Sequence, residues 1–212
     1  GQTPTAGEGE YLLGFGSVPN FRVGPGKDEQ GAQVYSFNIA MASVLFFKDG
    51  RIADAQVDVY EVATPNYDGE SMPRFSGWPG QGDATEEGAV RELSAWRTKR
   101  ERGDQYGMNP QNDWYKQMDA YEGWMAGKTV EELREWFSKY TSAKNGRPLR
   151  ADSDDADDRK ALDSLTDEEK KQLADLVSMA TMSLSDSHGL LLEAVEKAWE
   201  NRAPVAAEGA ER

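Results

Sequence analysis

Tyr106 and Met108 lie in Gly103-Asp104-Gln105-Tyr106-Gly107-Met108, and Trp78 lies in Gly77-Trp78-Pro79-Gly80. These side chains combine a type suited to ligand contact with a setting that can present them. Glycine permits tight turns, so the first loop can carry Tyr106 over a cleft as a stacking ring with Met108 beside it. The competing reading packs Tyr106 on the helix that follows. The Gly and Pro neighbours of Trp78 cannot build a regular element around it. Its indole is expected to be at least partly exposed as a lid or partner contact; the alternative is that it covers the sheet. His188 is the one histidine, in Ser185-Asp186-Ser187-His188. Residues so close in sequence cannot form a Ser-His-Asp triad unless the fold brings in others. Asp186 or Ser187 reads as a helix cap and His188 as a first-turn residue. The aspartates between 152 and 158 lack the glycine and terminal glutamate of an EF-hand calcium loop, and read as a solvated acidic loop. No phosphate-binding G-x-x-x-x-G-K-[ST] run exists.

The 212 residues suffice for one sizeable domain. With 38 acidic against 24 basic residues the net charge is −14, a field that repels phosphate backbones and anionic lipid head groups. Nucleic acid is therefore not an expected partner. The absence of cysteine excludes disulfides, thiolate zinc sites, iron–sulfur clusters and cysteine nucleophiles. No apolar run approaches the roughly 20 residues of a membrane helix. Residues 1–9 read as a flexible tether, 10–202 as a single domain and 203–212 as a disordered tail. A Thr/Pro/Gly/Glu tether suits a secreted protein or a lipoprotein whose anchor sat on a removed N-terminus. A cytoplasmic protein is the other reading.

Period-2 patterning locates the sheet. Residues 10–16 read as a short strand whose glycines allow close backbone approach, and 17–32 as loop. From Val34 to Phe47 the odd positions Tyr35, Phe37, Ile39 and Leu45 are large and apolar and are expected to face the core. Asp49-Gly50 supplies a hairpin turn, and 52–62 returns with one wet face of Asp54, Gln56 and Asp58. Residues 63–85 form a long Gly/Pro/Asp-rich loop of a kind that is often functional. Helices follow: a short one in 86–102, one from about 112 to Gly127, and one opened by the Thr129-x-x-Glu132 capping box. A further box, Thr166-x-x-Glu169, opens a short helix to about Leu173, and the last helix spans about 187–201. Residues 144–160 read as loop, and those after Asp175 as a strand.

Three segments carry a family resemblance. The Asp49-Gly50-Arg51-Ile52 turn is similar to the D-G-K-I hairpin turn of FMN-binding domains. Asp175-Leu176-Val177-Ser178-Met179-Ala180-Thr181, followed by Met182-Ser183 and a terminal helix with Ala194-Val195, resembles their D-x-x-S-G-A-T attachment end, with Met179 at the motif's glycine. Gly103–Met108, Trp114, Trp124 and Gly127-Lys128-Thr129-Val130-Glu131-Glu132 resemble a group of bacterial lipoproteins related to that domain. The resemblance implies an α+β fold: an antiparallel sheet built on a long hairpin and packed against C-terminal helices. It implies FMN joined through its phosphate to Thr181, with Asp175 and Ser178 read by the attaching transferase and Ser183 closing the segment. The implied role is an extracytoplasmic electron-transfer or ligand-binding accessory without a catalytic set of its own. The alternative is a non-redox module that recognises a small ligand or partner protein through the 63–85 loop and Trp78.

Overall fold

The computed structural model describes residues 11–106, 113–186 and 189–205. Three long strands, β1 (Tyr11–Lys27), β2 (Gln33–Phe47) and β3 (Ile52–Ala63), form an antiparallel meander. A two-residue strand, β4 (Ala203–Pro204), pairs with Leu12 and Leu13, giving the order β3-β2-β1-β4. Among the described residues seven α-helices complete an α+β architecture: α1 (Glu86–Ser94), α2 (Lys99–Arg102), α3 (Trp114–Met125), α4 (Val130–Tyr140), α5 (Ala156–Asp163), α6 (Asp167–Val177) and α7 (Leu191–Glu200). The β2–β3 turn falls at Lys48–Gly50 as expected; Gly50 has φ +90 and the Asp49 carboxylate accepts the Arg51 N–H at 3.1 Å. No described helix is long and apolar enough to cross a membrane.

The core lies on one face of the sheet, against α7 over β1 and β2 and α3 over β3. This corrects the expected orientation of β2. Val34, Ser36, Asn38, Ala40, Ala42, Val44 and Phe46 are buried, whereas Tyr35 and Phe37 are exposed and Ile39 and Leu45 only half-buried. The physical reason is the closeness of α7. A Cβ on Gly14 would stand 1.9 Å from the Ala198 carbonyl oxygen, and one on Gly16 2.0 Å from that of Ala194. Helix and sheet meet nearly backbone to backbone at Gly14 and Gly16, so the covered face there takes small residues such as Ala40 and Ala42 and most bulky side chains of β2 turn outward. Phe46, the large exception, packs against Trp199 at 5.0 Å.

Other boundaries differ too. β1 continues to Lys27 through Pro19, where 17–32 reads as loop from sequence. Beyond Leu13 β1 has no second neighbour among the described residues, and an edge tolerates a residue that cannot donate to the ladder. The aspartate-rich stretch is the start of α5: Asp155 caps it, accepting N–H bonds from Asp157 at 2.9 Å and Asp158 at 3.2 Å. Acidic side chains favour a helix N-terminus. Ala203–Pro204, expected in the tail, forms β4. The tether 1–9, Met108 and His188 lie outside the described residues.

Candidate functional site

α6 opens on the Thr166/Glu169 capping box and runs to Val177, past the expected stop near Leu173. Asp175 is therefore helical and Ser178 is the C-cap; residues 178–183 are an irregular segment, not the expected strand. Ser178 donates its hydroxyl to the Asp175 carbonyl at 2.7 Å, and the Met179 and Ala180 N–H groups both reach Leu176 O at 2.9 Å. The chain thus leaves the helix in a tight, fully bonded turn. No described non-glycine residue has positive φ, so Met179 occupies a backbone conformation open to any side chain, and its own is 52% exposed.

Thr181 and Met182 are pinned from the side by α3. Gln117, buried at 2% exposure, accepts both N–H groups on Oε1, at 2.9 Å from Thr181 and 3.1 Å from Met182. One turn along, Tyr121 donates its hydroxyl to the Met182 carbonyl at 2.7 Å, and burial drives its phenol upward. Thr181 is half-buried, and its hydroxyl has no hydrogen-bond partner among the described residues. Ser183 is buried, its hydroxyl accepting the Ser185 N–H at 3.1 Å. Ala180 is buried at the base of the segment.

Beside Ser178, between α5, α6 and residues 149–152, a cleft of about 550 Å³ opens. Leu149, Leu162, Leu173 and Val177 give it an apolar wall, and Arg150 and Lys170 bring positive charge. Arg150 is held by Asp152 at 2.9 Å, whereas among the described residues Lys170 meets only the Asp163 carbonyl, at 3.5 Å.

Against Trp114, at the start of α3, lies a buried ionic cluster. Glu61 on β3 pairs with Lys99 at 2.8 Å and with Arg22 of β1, and accepts the Ser36 hydroxyl at 3.0 Å. Burial opposes ionisation of Glu61, but Lys99 and Arg22 outweigh it and hold the carboxyl below its ordinary range. The Lys99 ammonium lies 5.3 Å from the Tyr106 ring centre and 5.9 Å from that of Trp114. Burial raises the Tyr106 phenol, with Lys99 opposing.

The fold therefore strings two sequence-predicted sites along α3. Tyr106 neighbours Lys99, Lys99 neighbours Trp114, and Gln117, three residues after Trp114, holds Thr181. Trp78 stands apart: it is 62% exposed, and its partner ring is Phe75 at 4.8 Å. Gln117, Glu61, Lys99 and Arg22 escape the sequence reading. Two of them interrupt an apolar pattern, Gln117 beside the Trp114/Met118/Tyr121 stripe and Glu61 in the Val57/Val59 alternation, and that break is a legible signal. Among the described residues no group of His, Cys, Asp and Glu could hold a metal ion.

Over 200 residues, 91% of the chain, the sequence is 35% identical to a protein named chlorophenol reductase from Desulfitobacterium hafniense. The chain spans 58% of that relative's length. No family model matches the chain. No solved structure matches it.

Proposed function

We propose that this chain is an accessory electron-transfer module of a reductase system, holding FMN through Thr181. The observation that carries the reading is the state of Thr181: its N–H is locked to Gln117 while its hydroxyl is uncommitted. A phosphoester needs that combination, a fixed backbone and an oxygen with no competing bond. The residues around it fit the group. Met179 brings no backbone strain, and the cleft beside Ser178 offers an apolar wall with Lys170 to meet negative charge. The relative's name, a reductase, supports redox chemistry in the wider system.

When bound, FMN would supply one- and two-electron transfer, which this chain's side chains do not. The protein's share is positional. Gln117 and Tyr121 fix the segment by three hydrogen bonds to its backbone, and Leu173 and Val177 give the cleft beside Ser178 an apolar wall. The partner is a protein that delivers or accepts electrons. Intact mass of protein from its native host tests the reading: one FMN less one water should be added, and Thr181→Ala should remove it. A flavin absorbance lost on denaturation would show non-covalent holding. An unmodified mass with no visible absorbance overturns the proposal.

A further inference from the structure

The face of the sheet opposite the helices is apolar and open. Phe15 is 55% exposed, Phe21 63%, Tyr35 38% and Phe37 43%. At ~150–250 Å² per aromatic side chain, these four rings leave on the order of 300–500 Å² in solvent, and Leu13 and Val23 extend the patch. That already matches the largest apolar patch of a typical monomer, roughly 300–600 Å². The register makes it continuous: Phe21 lies opposite Phe37 and Leu13 opposite Leu45, and the Phe21 and Tyr35 rings stack at 5.6 Å. Phe21, Tyr35, Phe37, Val62 and Phe75 also line a notch of about 190 Å³ at one end.

We propose that this face is covered by the same face of a second copy of the chain, sheet on sheet. Charge chooses the occupant. None of the open-face positions from 13 to 23 on β1 or from 35 to 47 on β2 is charged, in a chain whose net charge is −14. Acidic residues on this side, Asp54 and Asp58, are confined to the β3 flank. A basic partner would find nothing to recognise in the centre, whereas an uncharged aromatic and aliphatic surface is complementary to itself, as a two-fold interface requires. The size agrees. Strand rise and spacing give the face about 45 Å by 14 Å, ~600 Å² in projection and more as accessible surface. A standard interface needs about 800 Å² per partner. Two such sheets pack about 10 Å apart.

The test is sedimentation velocity with light scattering on the intact chain, up to about 100 µM, above the micromolar limit for interfaces of this size. A species of twice 23.5 kDa is expected, strengthening as salt is added, because screening weakens the repulsion between two acidic copies. Phe21→Glu should raise the dissociation constant at least about 30-fold. Phe15→Ser, a milder change on the same face, should also weaken it, and circular dichroism checks that both variants fold. Four results overturn the proposal: a monomer throughout, a dimer that survives Phe21→Glu, a dimer that salt dissociates, or a monomer that co-sediments with phosphatidylcholine vesicles.

Discussion

Lys99→Met is the most informative single change, because it removes one charge from the buried Glu61 cluster while keeping most of the apolar stem beside Tyr106 and Trp114. Lys99 and Glu61 are both about 2% exposed and their charges are 2.8 Å apart. At an effective dielectric of ~20, that separation gives a gross attraction of roughly 6 kcal/mol. The net cost of breaking a buried pair by removing one partner is about 3–5 kcal/mol, since the other charge stays buried. Arg22 still faces Glu61, which puts the expected loss near the lower end, ~3 kcal/mol. Urea denaturation near neutral pH measures it. The pH dependence supplies a second readout. In the parent protein the folded pKa of Glu61 lies below its ordinary 4.5. That contribution is intact above pH 4.5 and fades as pH falls through the folded value. In Lys99→Met the larger of the two opposing charges is gone and burial is less well offset, so the folded pKa of Glu61 rises. The variant's penalty then shrinks on acidification as the carboxylate takes up a proton. The stability gap should narrow as pH falls through the ordinary carboxylate range, about 4.5. A cost below about 1 kcal/mol, or a gap independent of pH, refutes the account of this cluster.

Two further outcomes test the packing and the capping. Gly16→Ala puts a Cβ 2.0 Å from Ala194 O and 2.6 Å from Ala198 N, so α7 must shift and stability should fall by about 1–3 kcal/mol or more. Gly123→Ala, in α3 with nothing within 4 Å, should instead stabilise by about 0.5–1 kcal/mol; thermal melts that rank the two variants the other way would sink the close-packing argument. The Glu169 carboxyl is lowered to about 2 by Lys139, the Thr166 N–H and Tyr140, so its contribution should hold above pH 4.5 and disappear as pH falls through about 2. Carbon-13 NMR titration should find that low value, and Glu169→Gln should lose this segment of the acid dependence.

Much of the scaffold is legible in the sequence. The hairpin announces itself through period-2 patterning and Asp49-Gly50, and α4 and α6 through their capping boxes, because these signals are local. What is misread depends on how closely elements approach. The alternation of β2 is real, yet bulk is a poor guide to which face is buried when the covering helix presents Ala194 and Ala198 to Gly14 and Gly16. Gly14 lies opposite Val44 and Gly16 opposite Ala42, a stripe of small residues across two strands. That stripe, matched to the alanines of the last helix, identifies the covered side better than the size of Tyr35 and Phe37 does.

The Asp175–Thr181 segment shows the same limit from the other direction. Ser178–Ser183 alternates like a strand, but the helix begun at Thr166 continues to Val177 because Leu173 and Leu176 both reach buried positions. Thr181 consequently follows a helix C-terminus, where the macrodipole disfavours an anion by about 0.3–1 kcal/mol. A phosphate held there needs compensation from side chains, and the motif residues Asp175, Ser178 and Thr181 carry no positive charge. Lys170 is the available source, since Arg150 is committed to Asp152. Asp175 is exposed on the same last turn and adds to the negative end. The feature that favours Thr181 as an anchor is therefore not the local field but the α3 clamp. Gln117 and Tyr121 hold the segment by its backbone and leave the Thr181 hydroxyl as its uncommitted donor and acceptor.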